Sequence, residues 1–263
     1  MAGAALPAAA GDDRTYEERP VFRLPGLDPA HDGLRVAQLS DLHVGSRTPL
    51  ERLRDAIDRV NAFAPDLVVL TGDYLSHDRA GIGLMREQLG GISAPTVAVL
   101  GNHDHWVDAR GAARSLAALG YAVLRNQNTS LTLRGAPFTV VGIDDLLSGQ
   151  ARPEEALRGS RPGSRIALAH GPRTADLLRR AGQSILCLSG HTHGGQINVP
   201  VFTTFMLRAV AHEPYARGLF LLGPVQLYVN RGVGSSIMRL RLNSAPEVTL
   251  ATLRRAEPSS TPA

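Results

Sequence analysis

"APTVAVLGNHDHW", residues 94–106, joins two unlike halves. The first is a short apolar run between Pro95 and Gly101, partly β-branched and too short for a helix. It predicts a strand buried on both faces, as in a parallel sheet. The second sets an amide, an imidazole, a carboxylate and another imidazole in a row: Asn102, His103, Asp104 and His105. That row suits neither a core nor an ordinary loop. "PDLVVLTGD" (65–73) and "LRVAQLSDLH" (34–43) have the same form, an apolar run ending in a carboxylate. Between them Leu50, Leu53, Ile57 and Val60 recur at helical spacing, with Thr48 as the expected N-cap and Pro49 in the first turn. Residues 79–90 and 108–119 are predicted helical, the second stopped by Gly120. Strands alternating with helices give an α/β class.

From Tyr121 the pattern shortens. "YAVLRNQ", "TSLTLRG" and "PFTVVGIDD" are expected to be antiparallel strands. "SRIALAHGP" (164–172) and "SILCLSGHTH" (184–193) return to the strand-then-polar form, with a helical "TADLLRRAG" between them. "LFLLGPVQLYVNRG" is expected to be a hairpin and "EVTLATLRR" the last strand. With no linker and no internal repeat, residues 21–255 are expected to form one α/β domain of mixed sheets. The Ala-rich residues 1–20 would be a leader and 256–263 a polar tail, both disordered.

The chain has 263 residues, ample for a sizeable core. All 28 basic residues are arginine, scattered without a block, which gives no nucleic-acid footprint. The net charge of +4 favours anionic substrates modestly. One cysteine, Cys187, excludes an internal disulfide and sits in the apolar run "ILCLSG" as a buried thiol. No apolar stretch approaches the roughly 18 residues needed to span a bilayer. A cytoplasmic location with at most peripheral membrane contact is expected. "VPVFTTFMLRAV" (199–210) would either pack on the core or form an apolar lip for a lipid tail.

Five strand ends carry similar punctuation: Asp41-Leu42-His43, Gly72-Asp73, Gly101-Asn102-His103-Asp104, His170, and Gly190-His191-Thr192-His193. In open α/β sheets the carboxyl ends of parallel strands share one edge, where ligands bind. If these strands share a sheet, the groups converge there. Imidazole suits first-row transition ions, and a carboxylate such as Asp73 can bridge two. Asp41-x-His43 would present two ligands to one ion, because residues i and i+2 point the same way in extended chain, and His191-x-His193 would do likewise or hand one histidine to each ion. Asn102 would be a neutral oxygen ligand. Two divalent ions, two carboxylates and a bridging hydroxide sum to about +1, a site that attracts a phosphate ester.

The ordered blocks "DLH", "GDY", "GNHD", "AH" and "GHTHGG" resemble those of the calcineurin-like metallophosphoesterase superfamily. "PGLDPAHDGLRVAQLSDLHVG", "GHTHGGQINVP" and "QLYVNRGVGSS" further resemble its YkuE-type bacterial phosphodiesterases, a group similar to some UDP-diacylglucosamine pyrophosphohydrolases. The resemblance implies a four-layer αββα sandwich of two mixed sheets. It implies two divalent transition-metal ions, Mn²⁺ first, with Fe, Zn, Co or Ni as alternatives. Asp41, His43 and His193 would bind one ion, Asp73 would bridge, and Asn102, His170 and His191 would complete the second. His103 would face the phosphoryl group, with Asp104 holding its ring. The implied reaction is hydrolysis of a phosphodiester or pyrophosphate through an activated bridging hydroxide. A UDP-sugar-lipid or nucleotide pyrophosphate is the alternative substrate. A non-catalytic scaffold on the same fold is the alternative of another class, disfavoured because every ligand of the pattern is present.

Other groups have quieter expectations. His105 is taken as a surface histidine or one supporting the site. His77 and His212 are taken as exposed, and His31 as lying in a loop. Asp144 and Asp145 are turn acids or orienters of His170. Arg231 either faces the substrate phosphate or forms a structural ion pair.

Overall fold

The computed structural model describes residues 14–45, 47–196, 198, 203, 213–235 and 241–257. Two mixed sheets organise it. The first contains β1 (Tyr16–Glu18), β2 (Val21–Leu24), β3 (Leu34–Leu39), β4 (Leu67–Leu70), β5 (Thr96–Ala98), β6 (Ala122–Val123) and β13 (Glu247–Arg255). Its order is β1-β13-β3-β4-β5-β6, with β2 also on β13. β3 to β6 are parallel, and β13 runs antiparallel to β3. The second contains β7 (Gln127–Leu133), β8 (Ala136–Gly142), β9 (Arg165–Leu168), β10 (Ile185–Ser189), β11 (Gly218–Leu222) and β12 (Val225–Val229), in the order β11-β12-β10-β9-β8-β7. Its inner strands are parallel, and hairpins add antiparallel edges at both sides.

Alternation along the strands sorts the apolar side chains into three cores. Ala37, Leu39, Val68 and Leu70 face Leu53, Ile57 and Val60 of α1 (Leu50–Phe63), Met85 and Leu89 of α2 (Ala80–Leu89), and Leu116 of α4 (Ala109–Ala118). Their sequence neighbours Val36, Leu67 and Val69 point the other way, onto Val140, Ile166, Leu168, Leu186 and Leu188 of the second sheet. That sheet's far side, Val141, Ala167, Cys187 and Leu227, packs on Ala156 of α5 (Pro153–Leu157) and on Ala175 and Leu178 of α6 (Thr174–Arg180). Three cores between four layers make an αββα sandwich, the expected class. Burial on both faces explains why β4 and β10 read as continuous apolar runs rather than alternating ones. Cys187 is buried, and burial pushes its thiol up to about 12.

The structure differs from the sequence reading in several places. β1 lies within the stretch expected as a leader, paired in parallel with β13. β6 is not antiparallel: it follows α4 as the next parallel strand of the first sheet, because a helix-length crossover returns the chain in the same direction. Thr48 does not cap α1; its hydroxyl is buried against Gly234, with no hydrogen-bond partner among the described residues. His31 is buried, held by Ser164 Oγ at 2.7 Å and the Leu133 carbonyl at 3.0 Å. His212 and, apart from Thr203, the 199–210 segment lie outside the described residues. Among the described residues no helix is long and apolar enough to cross a membrane.

Candidate metal centre

Asp41 and His43 follow β3, Asp73 follows β4, and Asn102 and His103 open the short helix α3 (Asn102–Val107) just after β5. His170 follows β9, and His191 and His193 follow β10. The contributing strands belong to both sheets, not one, so the groups meet across the interface from two sides. Hydrogen bonds stitch the halves together. Gln38 Nε2 donates to the Ser189 carbonyl at 2.9 Å, and the His191 N–H donates to Asp41 Oδ2 at 3.0 Å.

These loops are not extended. Asp41 (φ 52°), His43 (φ 44°), Asp73 (φ 57°), His191 (φ 74°) and His193 (φ 50°) all lie in the left-handed region. Only a few per cent of non-glycine residues do so, and such strain concentrates at functional sites. The alternating left-handed residues curl the chain, and that curl, rather than strand alternation, aims the paired side chains inward. Gly72 has φ 95°, and a Cβ there would stand 2.7 Å from Gly101 N and 2.8 Å from His170 Nδ1. A Cβ on Gly190 would overlap the side chains of Ser40 and Asp41.

Two groups of donor atoms result, Asp41 with His43 and His193, and Asp73 with His170 and His191; within each, the atoms lie within 4.8 Å of one another. In the first, His193 Nε2 stands 3.2 Å from His43 Nε2 and 3.3 Å from Asp41 Oδ1. In the second, His170 Nε2 stands 3.2 Å from Asp73 Oδ2 and 3.1 Å from Asn102 Oδ1. Asp73 Oδ2 also lies 3.9 Å from His43 Nε2, so this carboxylate stands between the groups. The far nitrogens are fixed by backbone: His43 Nδ1 donates to the Leu75 carbonyl (2.9 Å) and His170 Nδ1 to the Thr71 carbonyl (2.7 Å). Both rings thereby turn Nε2 inward, the arrangement that orients metal-binding histidines.

Electrostatics separates the groups. Burial pushes His43 down to about 4, and burial together with the Arg241 guanidinium holds His193 well below the usual histidine range. Burial raises Asp41, with the charge of Asp73 adding to it. His170 goes the other way: burial opposes its protonation, but the charge and hydrogen bond of Asp73 prevail and raise it well above the usual range. Asp73 is lowered despite burial, chiefly by His170. His191 is lowered by burial and by His170. A compact set of imidazoles, carboxylates and one amide oxygen, buried and aimed inward, fits divalent transition ions by donor chemistry.

His103 sits beside this set, its ring 5.0 Å from that of His43. The expected bond from Asp104 to His103 is absent. Successive helix residues point about 100° apart, so the two side chains diverge. The ring of His103 is held instead by the Ser76 carbonyl, 2.6 Å from Nδ1. Asp104 turns inward and accepts from the N–H groups of Asp73 (3.0 Å), Tyr74 (2.9 Å), Leu75 (3.0 Å) and Gly101 (2.9 Å). It clamps the loop that carries Asp73. Burial and the charge of Asp73 push its carboxyl up to about 7, against those donors.

His105 Nε2 is 2.7 Å from Asp144 Oδ1, whose other oxygen accepts from Arg125 at 2.9 Å; that pair supports α3 from the second sheet. Asp145 accepts from the Ser148 N–H, as a turn acid does. Arg231 forms the structural ion pair, with Glu247 (2.7 Å) and Glu18 (2.5 Å). His77 is exposed. Sequence reasoning missed Arg241. It is buried, donates to the carbonyls of Arg231 and Ser244 (3.0 Å each) and of Gly234, and places Nη2 3.0 Å from His193 Nδ1. Nothing in "MRLRL" distinguishes it.

Residues 34–195 match the calcineurin-like phosphoesterase family. The chain is 35% identical over 237 residues to the uncharacterized metallophosphoesterase YkuE of Bacillus subtilis, covering 85% of this chain and 80% of that one. It is 36% identical over 225 residues to the phosphodiesterase YaeI of Escherichia coli, covering 83% and 82%. It is 28% identical over 285 residues to the UDP-2,3-diacylglucosamine pyrophosphatase LpxG of Chlamydia muridarum, covering 87% and 86%. The chain is a hydrolytic enzyme and belongs to the calcineurin-like phosphoesterase family.

Proposed function

We propose that this chain hydrolyses a phosphodiester or pyrophosphate using two divalent transition-metal ions, Mn²⁺ first among them. The observation that carries the reading is the pair of buried donor groups with Asp73 between them. Asp41, His43 and His193 would hold one ion and Asn102, His170 and His191 the other, with Asp73 shared. Bound there, such ions activate water and neutralise the phosphoryl oxygens. The protein supplies the rest. Asp104 fixes the backbone that presents Asp73, and Gly72 and Gly190 let the loops close on it. His103 keeps Nδ1–H engaged with the Ser76 carbonyl; as the imidazolium it would give the Nε2 proton to the departing oxygen while water's oxygen bonds to phosphorus and the ester bond breaks, leaving the neutral ring. No covalent intermediate with the chain is required.

The named activity of YaeI supports a diester substrate. That of LpxG supports a second reading, a UDP-sugar-lipid pyrophosphate. The test is hydrolysis of bis-p-nitrophenyl phosphate by the Mn²⁺-loaded protein, beside a panel of monoesters, cyclic nucleotides and UDP-lipids. His103→Ala serves as the contaminant control. Turnover lost in that variant supports the proposal. No hydrolysis with Mn²⁺, Fe²⁺, Co²⁺, Ni²⁺ or Zn²⁺ would favour the scaffold instead.

A further inference from the structure

β8 runs parallel to β9 and ends on the same edge of the sheet, followed by two carboxylates, Asp144 and Asp145. Gly142 stands opposite Leu168, and the Ile143 N–H donates to the Leu168 carbonyl at 2.9 Å, so the loop after β8 runs beside His170. A Cβ on Gly171 would lie 3.9 Å from that of Leu146, which fixes the same contact one step further on. Asp144 is engaged by His105 and Arg125. Asp145 is fully buried, yet half of its carboxylate is idle. Oδ2 accepts from the Ser148 N–H at 2.6 Å, whereas Oδ1 has no hydrogen-bond partner among the described residues. A buried acceptor without a donor is costly and calls for an explanation.

After burial and the nearer groups, the charge of Asp145 acts on both His170 and His191. His170 has no nitrogen to offer it: Nδ1 is held by the Thr71 carbonyl, and Nε2 faces Asp73 and Asn102. His191 does. Its ring lies 5.1 Å from that of His170 and, among the described residues, makes no hydrogen bond, unlike the rings of His43, His170 and His193. We propose that Asp145 is a positioning residue of the second metal group, its open oxygen accepting from the outer ring N–H of His191, directly or through one water. The inference rests on the two-metal reading and deepens it. A neutral imidazole that ligates an ion through one nitrogen carries its proton on the other, so ligation creates the donor that Asp145 lacks. His43 and His170 use backbone carbonyls for this purpose; a carboxylate on His191 also raises the basicity of the ligand.

Asp145→Asn tests it, since an amide oxygen still serves the Ser148 N–H while the charge is gone. Mn²⁺ binding to the full chain is followed by calorimetry. Affinity for one of two ions should fall about 10- to 100-fold and that for the other should hold. At two equivalents of Mn²⁺ the electron paramagnetic resonance of a coupled pair should give way to that of isolated ions, and the denaturant midpoint in chelator should not move. Wild-type affinity for both ions in the variant would overturn the role. So would equal weakening of both ions with a lowered midpoint, the mark of a turn acid that merely supports the fold. The Zn²⁺-loaded wild type gives a check that needs no variant. Proton–nitrogen spectra should show the outer ring N–H of His191 shifted downfield and slow to exchange, and a rapidly exchanging one would overturn the contact. A wild-type chain that takes up fewer than two ions overturns the two-metal reading itself, whereas two ions held equally well by both proteins overturns the role of Asp145 alone.

Discussion

Asp41, His43 and His193 gather against a buried arginine, whereas Asp73, His170, His191 and Asn102 gather around a carboxylate that stays ionised. The consequence is a difference in protons. In the first group both histidines are driven toward the neutral form, His43 to about 4. In the second, His170 is driven toward the imidazolium by Asp73, and its Nε2 faces two oxygens. An ion entering the first group finds both imidazole lone pairs already free, whereas one entering the second displaces the proton of His170. Two sites built from the same residue types thus take up metal under different rules, set by which charge each histidine faces.

The largest expected effect tests what the groups share. Asp73→Asn removes the carboxylate that stands between ring nitrogens of the two groups, at 3.9 Å from His43 and 3.2 Å from His170. Turnover should fall roughly 10³- to 10⁵-fold, several kcal/mol of lost charge stabilisation, and elemental analysis should find fewer than two ions per chain. His103→Ala comes next. It should lower kcat roughly 10²- to 10⁴-fold with ion content unchanged, since His103 belongs to neither group. A loss of metal in that variant would mean that the division between ligand and proton donor is drawn in the wrong place.

Arg241→Met probes the first group alone. It removes donors from three buried carbonyls and the support of His193. Unfolding free energy should drop by about 3 kcal/mol, read from denaturant midpoints, and one of the two ions should be lost on dialysis before the other. Simultaneous loss of both would erase the contrast between the groups. The smallest effect is the pH dependence of loading. Below the raised pKa of His170, metal competes with one proton, so Mn²⁺ affinity at the second group should climb as pH rises toward that pKa. At the first group His43 and His193 are already neutral and add no such competition, so a proton released there would come from Asp41, which burial raises. Calorimetry in buffers of different ionisation enthalpy reads the released proton.

Much of this was legible in the chain. β4 and β10 announce themselves as apolar runs because each is buried on both faces, β3 and β9 as mostly apolar ones, and the polar residues after them are the ones the structure gathers. The division of those strands between two sheets was not legible, since a run buried on both sides reads alike in either. Nor was the support. His43, His170 and His103 are oriented by the carbonyls of Leu75, Thr71 and Ser76, groups that every residue carries and no side-chain pattern reveals. The role of Asp104 depended on α3 starting at Asn102. The expected bond to His103 came from the family pattern; in the helix the two side chains stand about 100° apart, and Asp104 turns to the backbone N–H groups of Asp73, Tyr74, Leu75 and Gly101 instead. The left-handed turns at Asp41, His43, His191 and His193 escaped for a similar reason, because histidine and aspartate do not advertise that conformation as glycine does.

The most direct test is anomalous diffraction at the manganese edge from crystals of the Mn²⁺-loaded protein. Two peaks are expected, one among Asp41, His43 and His193 and one among Asn102, His170 and His191, with Asp73 reaching both. A single peak, or peaks away from these side chains, would contradict the account.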